Sequence, residues 1–164
     1  RDTMDNKKFK PDEEIIQLMF DKMRVYQIND SFTFIPNEKL KIKCNAPTDK
    51  SGVYLVFKKD QDEFLKLIYI GSSGQRNKDG TLKTRKSNLG GMKDRLVNGN
   101  HSKFGKIPRK KSWPDEMKKE GIPQLHIFWW VTHSRDFTDF PTDIEKELRT
   151  IYLTKFPVLP EWHK

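Results

Sequence analysis

The chain is predicted to fold as α/β (α+β), with a small central antiparallel sheet of about three strands flanked by helices. Two short apolar runs at residues 52–58 and 64–70 are separated by a polar stretch, which is typical of a β-hairpin. A third run at 124–131 is apolar on both faces and predicts a strand inside the sheet. Helical spacing over residues 144–152 predicts a last helix. The length of 164 residues and the hydrophobic content of 34% suit one globular domain with an added segment.

The added segment is the first part of the chain. Residues 1–50 are expected to form an N-terminal helical and β addition to a domain that spans residues 51–164. Apolar side chains at helical spacing predict a helix over residues 12–26. Short strands are expected at 32–35 and 40–42, and a turn-forming Asn-Ala-Pro-Thr-Asp stretch then separates the two parts.

The predicted hairpin is expected to bring two tyrosines together. If its turn is centred on the middle of the polar stretch, Tyr54 falls directly opposite Tyr69 and Val56 opposite Leu67. Both phenols then share one face of the sheet, because side chains alternate along a strand. Tyrosines on adjacent strands are also common as packing residues, so the pair alone does not indicate chemistry.

The first helix after the hairpin carries an arginine. Leu89, Met92 and Leu96 recur at helical spacing, and the Asn-Gly pair at 98–99 predicts the end of the helix. Arg95 flanks this apolar stripe, so its stem can pack while its guanidinium reaches back toward the sheet. A solvated helix arginine is the alternative interpretation.

The last predicted helix carries a glutamate near its start. Thr142 is a candidate N-cap, and Glu145 three residues later would complete a capping box. Ile144 and Leu148 supply the buried stripe, and Glu147 is expected to face solvent. Glu145 therefore either caps its own helix or has a second role.

The order of these parts resembles the signature of the GIY-YIG nuclease family. The triplets read GVY at residues 52–54 and YIG at 69–71, followed by Arg95 and by an E-x-x-L pattern at Glu145. The resemblance covers about residues 51–163. It implies a sheet whose two tyrosines share one active site with the arginine and a metal-binding glutamate.

Two features depart from the family pattern. The second tyrosine and the arginine are 26 residues apart, more than the family often has, and the extra residues form a basic insert at 75–88. After the last helix, His163 stands where the family has an asparagine. His163 is either a replacement hydrogen-bond partner or an ordinary residue of the C-terminus.

The resemblance implies hydrolysis of DNA phosphodiester bonds. Tyr54 would orient or deprotonate the attacking water, Arg95 would hold the scissile phosphate, and Tyr69 would hydrogen-bond the phosphate or its water network. Glu145 would bind one Mg²⁺, or Mn²⁺ in its place. His163 completes the candidate catalytic set.

Charge supports a nucleic-acid partner. Lys and Arg number 32 against 23 Asp and Glu, which gives a net charge of +9. Residues 76–119 hold fourteen basic and four acidic residues, so this segment contains all of the surplus. Such a segment is expected to contact the backbone of double-stranded DNA without reading its bases. The candidate contacts are Lys83, Arg85 and Lys86 in the insert, and Lys103, Lys106, Arg109, Lys110 and Lys111 in the loop after the arginine helix.

The cysteine count and the lack of long apolar runs in the sequence bear on where the protein is located. The single cysteine, Cys44, excludes an internal disulfide and favours an intracellular, cytoplasmic protein. No apolar run approaches a membrane span, and the charged start is not a signal peptide. No membrane partner is therefore expected.

The main interpretation is a metal-dependent DNA endonuclease, of restriction type or another bacterial or phage nuclease. Homing, repair and structure-specific nucleases would carry the same core. The competing class is a catalytically inactive DNA-binding module on the same fold. A ribosomal or RNA-binding basic domain would explain the charge but not the ordered tyrosines. The oligomeric state stays open, and a restriction-type role allows a dimer.

Overall fold

The computed structural model describes residues 8–10, 13–84, 89–134 and 137–164. Its strands are β1 (Lys8–Lys10), β2 (Asn29–Phe34), β3 (Ser51–Lys59), β4 (Phe64–Ser73), β5 (Gln75–Arg76), β6 (Leu82–Lys83) and β7 (Gln124–His133). Its α-helices are α1 (Glu13–Met23), α2 (Leu40–Lys43), α3 (Gly91–Asn98), α4 (Arg109–Glu120) and α5 (Pro141–Leu153). A 3₁₀ turn at Ser102–Phe104 connects α3 to α4.

The main sheet has five strands in the order β1-β4-β3-β7-β2. The α+β class is as predicted, but the sheet is larger than the expected three strands and is mixed, not wholly antiparallel as expected. The three predicted strands are β4, β3 and β7, which pair antiparallel. The first fifty residues supply the other two, since β2 pairs antiparallel with β7 and β1 pairs parallel with β4. This part of the chain is therefore built into the same sheet.

Each face of the sheet is covered by its own hydrophobic core. The first core packs β2, β3, β4 and β7 against α3 and α4, and it contains Tyr54, Tyr69 and Trp113. The second core packs the opposite face against α1 and α5, and it contains Phe57 and Leu148. Covering both faces explains why the inner strands are apolar without interruption.

The first fifty residues differ locally from the sequence prediction. Helix α1 is shorter than expected, and β2 begins earlier than expected. The strand predicted at 40–42 is wrong, because this segment is the short helix α2. Leu40 and Ile42 would share one face of a strand, whereas the helical turn buries Leu40 and leaves Ile42 74% exposed.

The hairpin register also differs from the prediction. Tyr54 pairs with Gly71, and Val56 pairs with Tyr69, so the two tyrosines are diagonal neighbours and not directly opposite each other. Both phenols nevertheless lie in the first core, on one face of the sheet as expected. The expected pairing of Val56 with Leu67 is wrong, since Leu67 pairs with Phe57.

Two local features cause this shift. The turn is one residue longer than expected, because the Asp60 carboxylate accepts hydrogen bonds from the backbone N–H groups of Asp62 and Phe64 and closes a wider loop. A β-bulge between Val56 and Phe57 then moves the register by one further residue. Tertiary packing sets such a bulge, and no pattern in the sequence marks it.

The later helices confirm some boundaries and correct others. Helix α3 ends at Asn98 with Gly99 as its C-cap, as predicted. The capping box on α5 is wrong, because Pro141 is already the first helical residue and no side chain caps the helix. The loop expected around residues 103–111 ends early, since α4 begins at Arg109. The basic insert contains the small β5–β6 hairpin.

Candidate active site

Tyr69 lies where the parts of the candidate site meet. Its ring centroid is 6.3 Å from that of Tyr54, 4.2 Å from that of His101 and 4.5 Å from that of His163. The guanidinium carbon of Arg109 lies 5.6 Å from the same ring. Tyr54 is fully buried, whereas Tyr69 retains 8% of its exposed surface, so Tyr69 is the phenol nearer to solvent.

Charged groups from several elements act on the Tyr69 hydroxyl. Burial raises the pKa of Tyr69 above its usual value, and Tyr54 and the Glu145 carboxylate raise it as well. The guanidinium groups of Arg109 and Arg95 act in the opposite direction on this pKa. Tyr54, Arg95 and Glu145 thus each lie close enough to Tyr69 to affect the pKa of its hydroxyl.

The Tyr54 hydroxyl is held by an arginine that the sequence placed elsewhere. Nη1 of Arg109 donates a 2.7 Å hydrogen bond to the Tyr54 oxygen and a 3.0 Å bond to the Arg95 carbonyl. Arg109 was expected on an exposed loop, but it is fully buried at the start of α4. Its guanidinium faces the rings of Tyr54, Tyr69 and Trp113 at 5.3–5.6 Å.

The C-terminal segment follows the edge of β4 beside Tyr69. The backbone N–H of Trp162 donates to the Ile68 carbonyl at 2.9 Å, and Nε2 of His163 accepts from the Ile70 N–H at 3.0 Å. Burial lowers the pKa of His163 to about 4, with a smaller contribution from Arg149. His163 is therefore a neutral hydrogen-bond acceptor on this edge, and its place in the catalytic set stays a prediction.

His101 is a site residue that sequence reasoning missed. Trp113 Nε1–H donates to its Nδ1 at 3.0 Å, so the proton lies on Nε2 and is donated to the Trp162 carbonyl at 2.8 Å. Burial, together with the charge of Arg109, lowers the pKa of His101 to about 3. The His101 ring is thus neutral, and it packs against the ring of Tyr69. No spacing motif in the sequence marks it.

Glu145 is bound across the edge of the sheet and does not cap its own helix. Its Oε1 accepts a 2.5 Å hydrogen bond from Ser72 Oγ on β4, and its Oε2 pairs with Arg149 at 2.5 Å. The side chain is 17% exposed. Ser72 and Arg149 are further residues that the sequence reading missed, although the i,i+4 spacing of Glu145 and Arg149 was a usable signal. Glu147 is exposed, as predicted, and pairs with Lys22.

The oxygen atoms around Glu145 are compatible with one hard cation. Within the described residues no group of three His, Cys, Asp or Glu side chains could enclose a metal ion. Mg²⁺ is commonly held by a single carboxylate, with waters and phosphate oxygens as its other ligands. Glu145 and the neighbouring Ser72 hydroxyl fit that donor chemistry, provided that Arg149 releases Oε2.

The candidate DNA-contacting lysines lie in different environments. Lys106, Lys110 and Lys111 are exposed, as is Lys83 on β6. The amine of Lys103 donates to the Glu161 carbonyl and is thereby tied to the C-terminal segment. The predicted contacts at Arg85 and Lys86 lie outside the described residues.

Comparison with known proteins does not assign the chain to a family. No family model, no curated protein and no solved structure matches it. The resemblance to the GIY-YIG nucleases therefore remains an expectation from the sequence motifs. Among the described residues, no helix combines the length and apolar character that a membrane crossing requires.

Proposed function

We propose that the chain is a metal-dependent DNA endonuclease. The observation that carries the proposal is the convergence on Tyr69. Three groups predicted from sequence order, Tyr54 on β3, Arg95 on α3 and Glu145 on α5, act on the phenol of Tyr69 on β4. A set of packing residues would not need two arginines and a carboxylate beside two tyrosines.

Tyr69 is the phenol that contacts the reacting groups. Its raised pKa keeps it protonated at neutral pH, so it orients the attacking water or a phosphate oxygen through hydrogen bonds. Tyr54 is fully buried behind it, bound to Arg109, and therefore supports Tyr69 from within the core. This division differs from the sequence expectation, in which Tyr54 acted on the water.

Arg95 and Glu145 supply opposite charges to the proposed site around Tyr69. Arg95 holds the scissile phosphate and offsets the negative charge that grows on its oxygens. A Mg²⁺ held by Glu145 would lower the pKa of its bound water and neutralise phosphoryl charge. Ser72 keeps the Glu145 carboxylate oriented through the hydrogen bond to Oε1.

The basic surface provides affinity for the DNA backbone. The exposed lysines at 106, 110 and 111 lie on α4 and on the loop that precedes it. Their charges attract phosphates and release counterions without reading sequence. Double-stranded DNA is therefore the proposed substrate, with no base preference assigned.

One observation favours the inactive DNA-binding module as the second candidate. Arg149 occupies Oε2 of Glu145 at 2.5 Å, and the positive charge of its guanidinium disfavours a metal ion at the same oxygen. In that case the basic surface would bind DNA and the tyrosines would be part of the core.

Supercoiled plasmid separates the two candidates. Purified protein is incubated with plasmid in Mg²⁺, in Mn²⁺ and in chelator, and DNA binding is measured in parallel by gel retardation. An endonuclease converts the plasmid to nicked and linear forms only with the metal ions. Retardation without cutting in either metal ion would instead establish the binding module.

A further inference from the structure

Arg109 is a buried cation whose described hydrogen-bond partners are a phenol and a backbone carbonyl and not a carboxylate. The side chain is fully buried, and Nη1 alone makes its hydrogen bonds, to the Tyr54 hydroxyl and to the Arg95 carbonyl. Within the described part of the chain, Nε and Nη2 have no hydrogen-bond partner. The guanidinium is therefore held by a phenol, a carbonyl and aromatic faces.

Packing alone does not account for a charge at this position. Removing a charged group from water is costly, and an apolar side chain of similar volume often gives equal or greater stability. The rings of Tyr54, Tyr69 and Trp113 offset part of this cost through cation–π contacts. The carbonyl of Arg95, in the last turn of α3, offsets a further part.

The contacts of Arg109 connect two parts of the proposed site. Its Nη1 touches both the Tyr54 oxygen and the backbone of Arg95, and its own backbone N–H donates to the Gly99 carbonyl at 3.0 Å. The end of α3 is thus bound by the main chain and the side chain of one residue. A displacement of Arg109 would move the Tyr54 phenol and the helix that carries Arg95 together.

We propose that Arg109 is a positioning residue, which fixes the Tyr54 phenol behind Tyr69 and ties it to the helix that presents Arg95. This role rests on the proposed nuclease function and differs from the backbone contact that the sequence predicted. Reacting groups displaced by about 1 Å can lose about 10²-fold in rate, so a positioning role has a measurable consequence. DNA affinity does not depend on it, because the guanidinium has no exposed surface.

The first test is Arg109→Met, which keeps the volume and removes the charge and the hydrogen bonds. We expect kcat on a duplex substrate to fall about 10²-fold, while KM, the Kd for DNA and the circular dichroism spectrum stay unchanged. Lys118→Met is the matched control, since it removes an exposed charge from the same helix. A rise in Kd with unchanged kcat would overturn the proposal and return Arg109 to direct backbone contact.

The second test asks whether Arg109 acts through Tyr54. In a Tyr54→Phe background, Arg109→Met should cause a smaller fold-loss of kcat than in the wild-type background, because the bond to the Tyr54 oxygen is already absent and only the bond to the Arg95 carbonyl is left to lose. Multiplicative losses in the double variant would overturn the proposal. Wild-type protein that cuts no DNA would overturn the proposed function and this role together, whereas active wild type with an equally active Arg109→Met variant would overturn this role alone.

Discussion

The ring of Tyr54 occupies the space that a side chain at Gly71 would need. A Cβ built on Gly71 would lie 2.5 Å from two ring carbons of Tyr54 and 2.6 Å from its hydroxyl oxygen. The two residues are direct partners across β3 and β4. The ring of Tyr54, from the GVY triplet, therefore packs against the backbone of Gly71, from the YIG triplet. This contact gives a physical reason for the glycine.

Gly71→Ala is therefore expected to displace the Tyr54 ring. Overpacking of this kind costs about 1–3 kcal/mol of unfolding free energy, and the displaced phenol should lose its bond to Arg109. Denaturant titration would measure the stability, and plasmid nicking would measure the activity, which should fall further than the stability loss explains. An alanine variant with wild-type stability and activity would show that the contact does not constrain Tyr54.

The positions of Tyr54 and Tyr69 could be predicted only in part from the sequence. The expected register placed both phenols on one face, and this holds because the longer turn and the bulge each shift the register by one residue, which together preserves the parity of the pairing. Their diagonal pairing was not predictable, since it depends on the turn held by Asp60 and on the bulge after Val56. Both depend on contacts made only in the folded hairpin.

The other candidate site residues also divide into those that the sequence indicates and those that only tertiary packing reveals. Local apolar spacing placed Arg95 and Glu145 on helices, and the resemblance to the GIY-YIG order of motifs singled them out as candidates. Arg109 was misassigned because its burial comes from packing between α4 and the sheet, and a basic run gives no sign of which cation turns inward. His101 was missed because its partners, Trp113 and the Trp162 carbonyl, come together only in the tertiary structure.

Glu145→Ala should abolish cleavage while leaving DNA affinity nearly intact, because the bound ion would stabilise the transition state more than the ground state. Glu147→Ala is the control, since this residue is exposed on the same helix and pairs only with Lys22 among the described ion pairs. Nicking rates and Kd values are compared for both variants. Full activity in a folded Glu145→Ala protein would exclude Glu145 as the metal ligand.

Arg95→Ala should lower the cleavage rate by roughly 10²-fold or more, the scale expected when one preorganised charge partner of a developing oxyanion is lost. Arg95→Lys should recover little, since a point charge does not reproduce the planar guanidinium. Single-turnover rates measure both effects. If both variants cut within a factor of about two of wild type, Arg95 is a surface helix residue.

His101 should make stability depend on pH. Its pKa of about 3 in the folded state lies below the usual 6.5, so the unfolded chain binds a proton in this window and the folded chain does not. The stabilisation from the neutral ring is complete above about pH 6.5 and is lost as pH falls toward about 3, by at most about 1.4 kcal/mol per pH unit.

Denaturant unfolding at several pH values measures this slope. In His101→Gln the unfolding free energy should change less steeply with pH between pH 6.5 and 3 than in the wild type. The difference in slope should correspond to the uptake of at most one proton on unfolding. His163, whose pKa is about 4, adds its own contribution over the upper part of this window and remains in the variant. An identical slope in both proteins would mean that His101 is protonated in the folded state.

The most direct measurement compares Mg²⁺-dependent plasmid nicking by the wild type, Tyr69→Phe and Tyr152→Phe. Tyr152 is buried in the second core, on the opposite face of the sheet from Tyr69. Tyr152→Phe is therefore the control, because it also removes the hydroxyl of a buried tyrosine. If Tyr69 is the centre of a nuclease site, the wild type and Tyr152→Phe cut with Mg²⁺ while folded Tyr69→Phe does not. Equal nicking by all three proteins would contradict an active site at Tyr69.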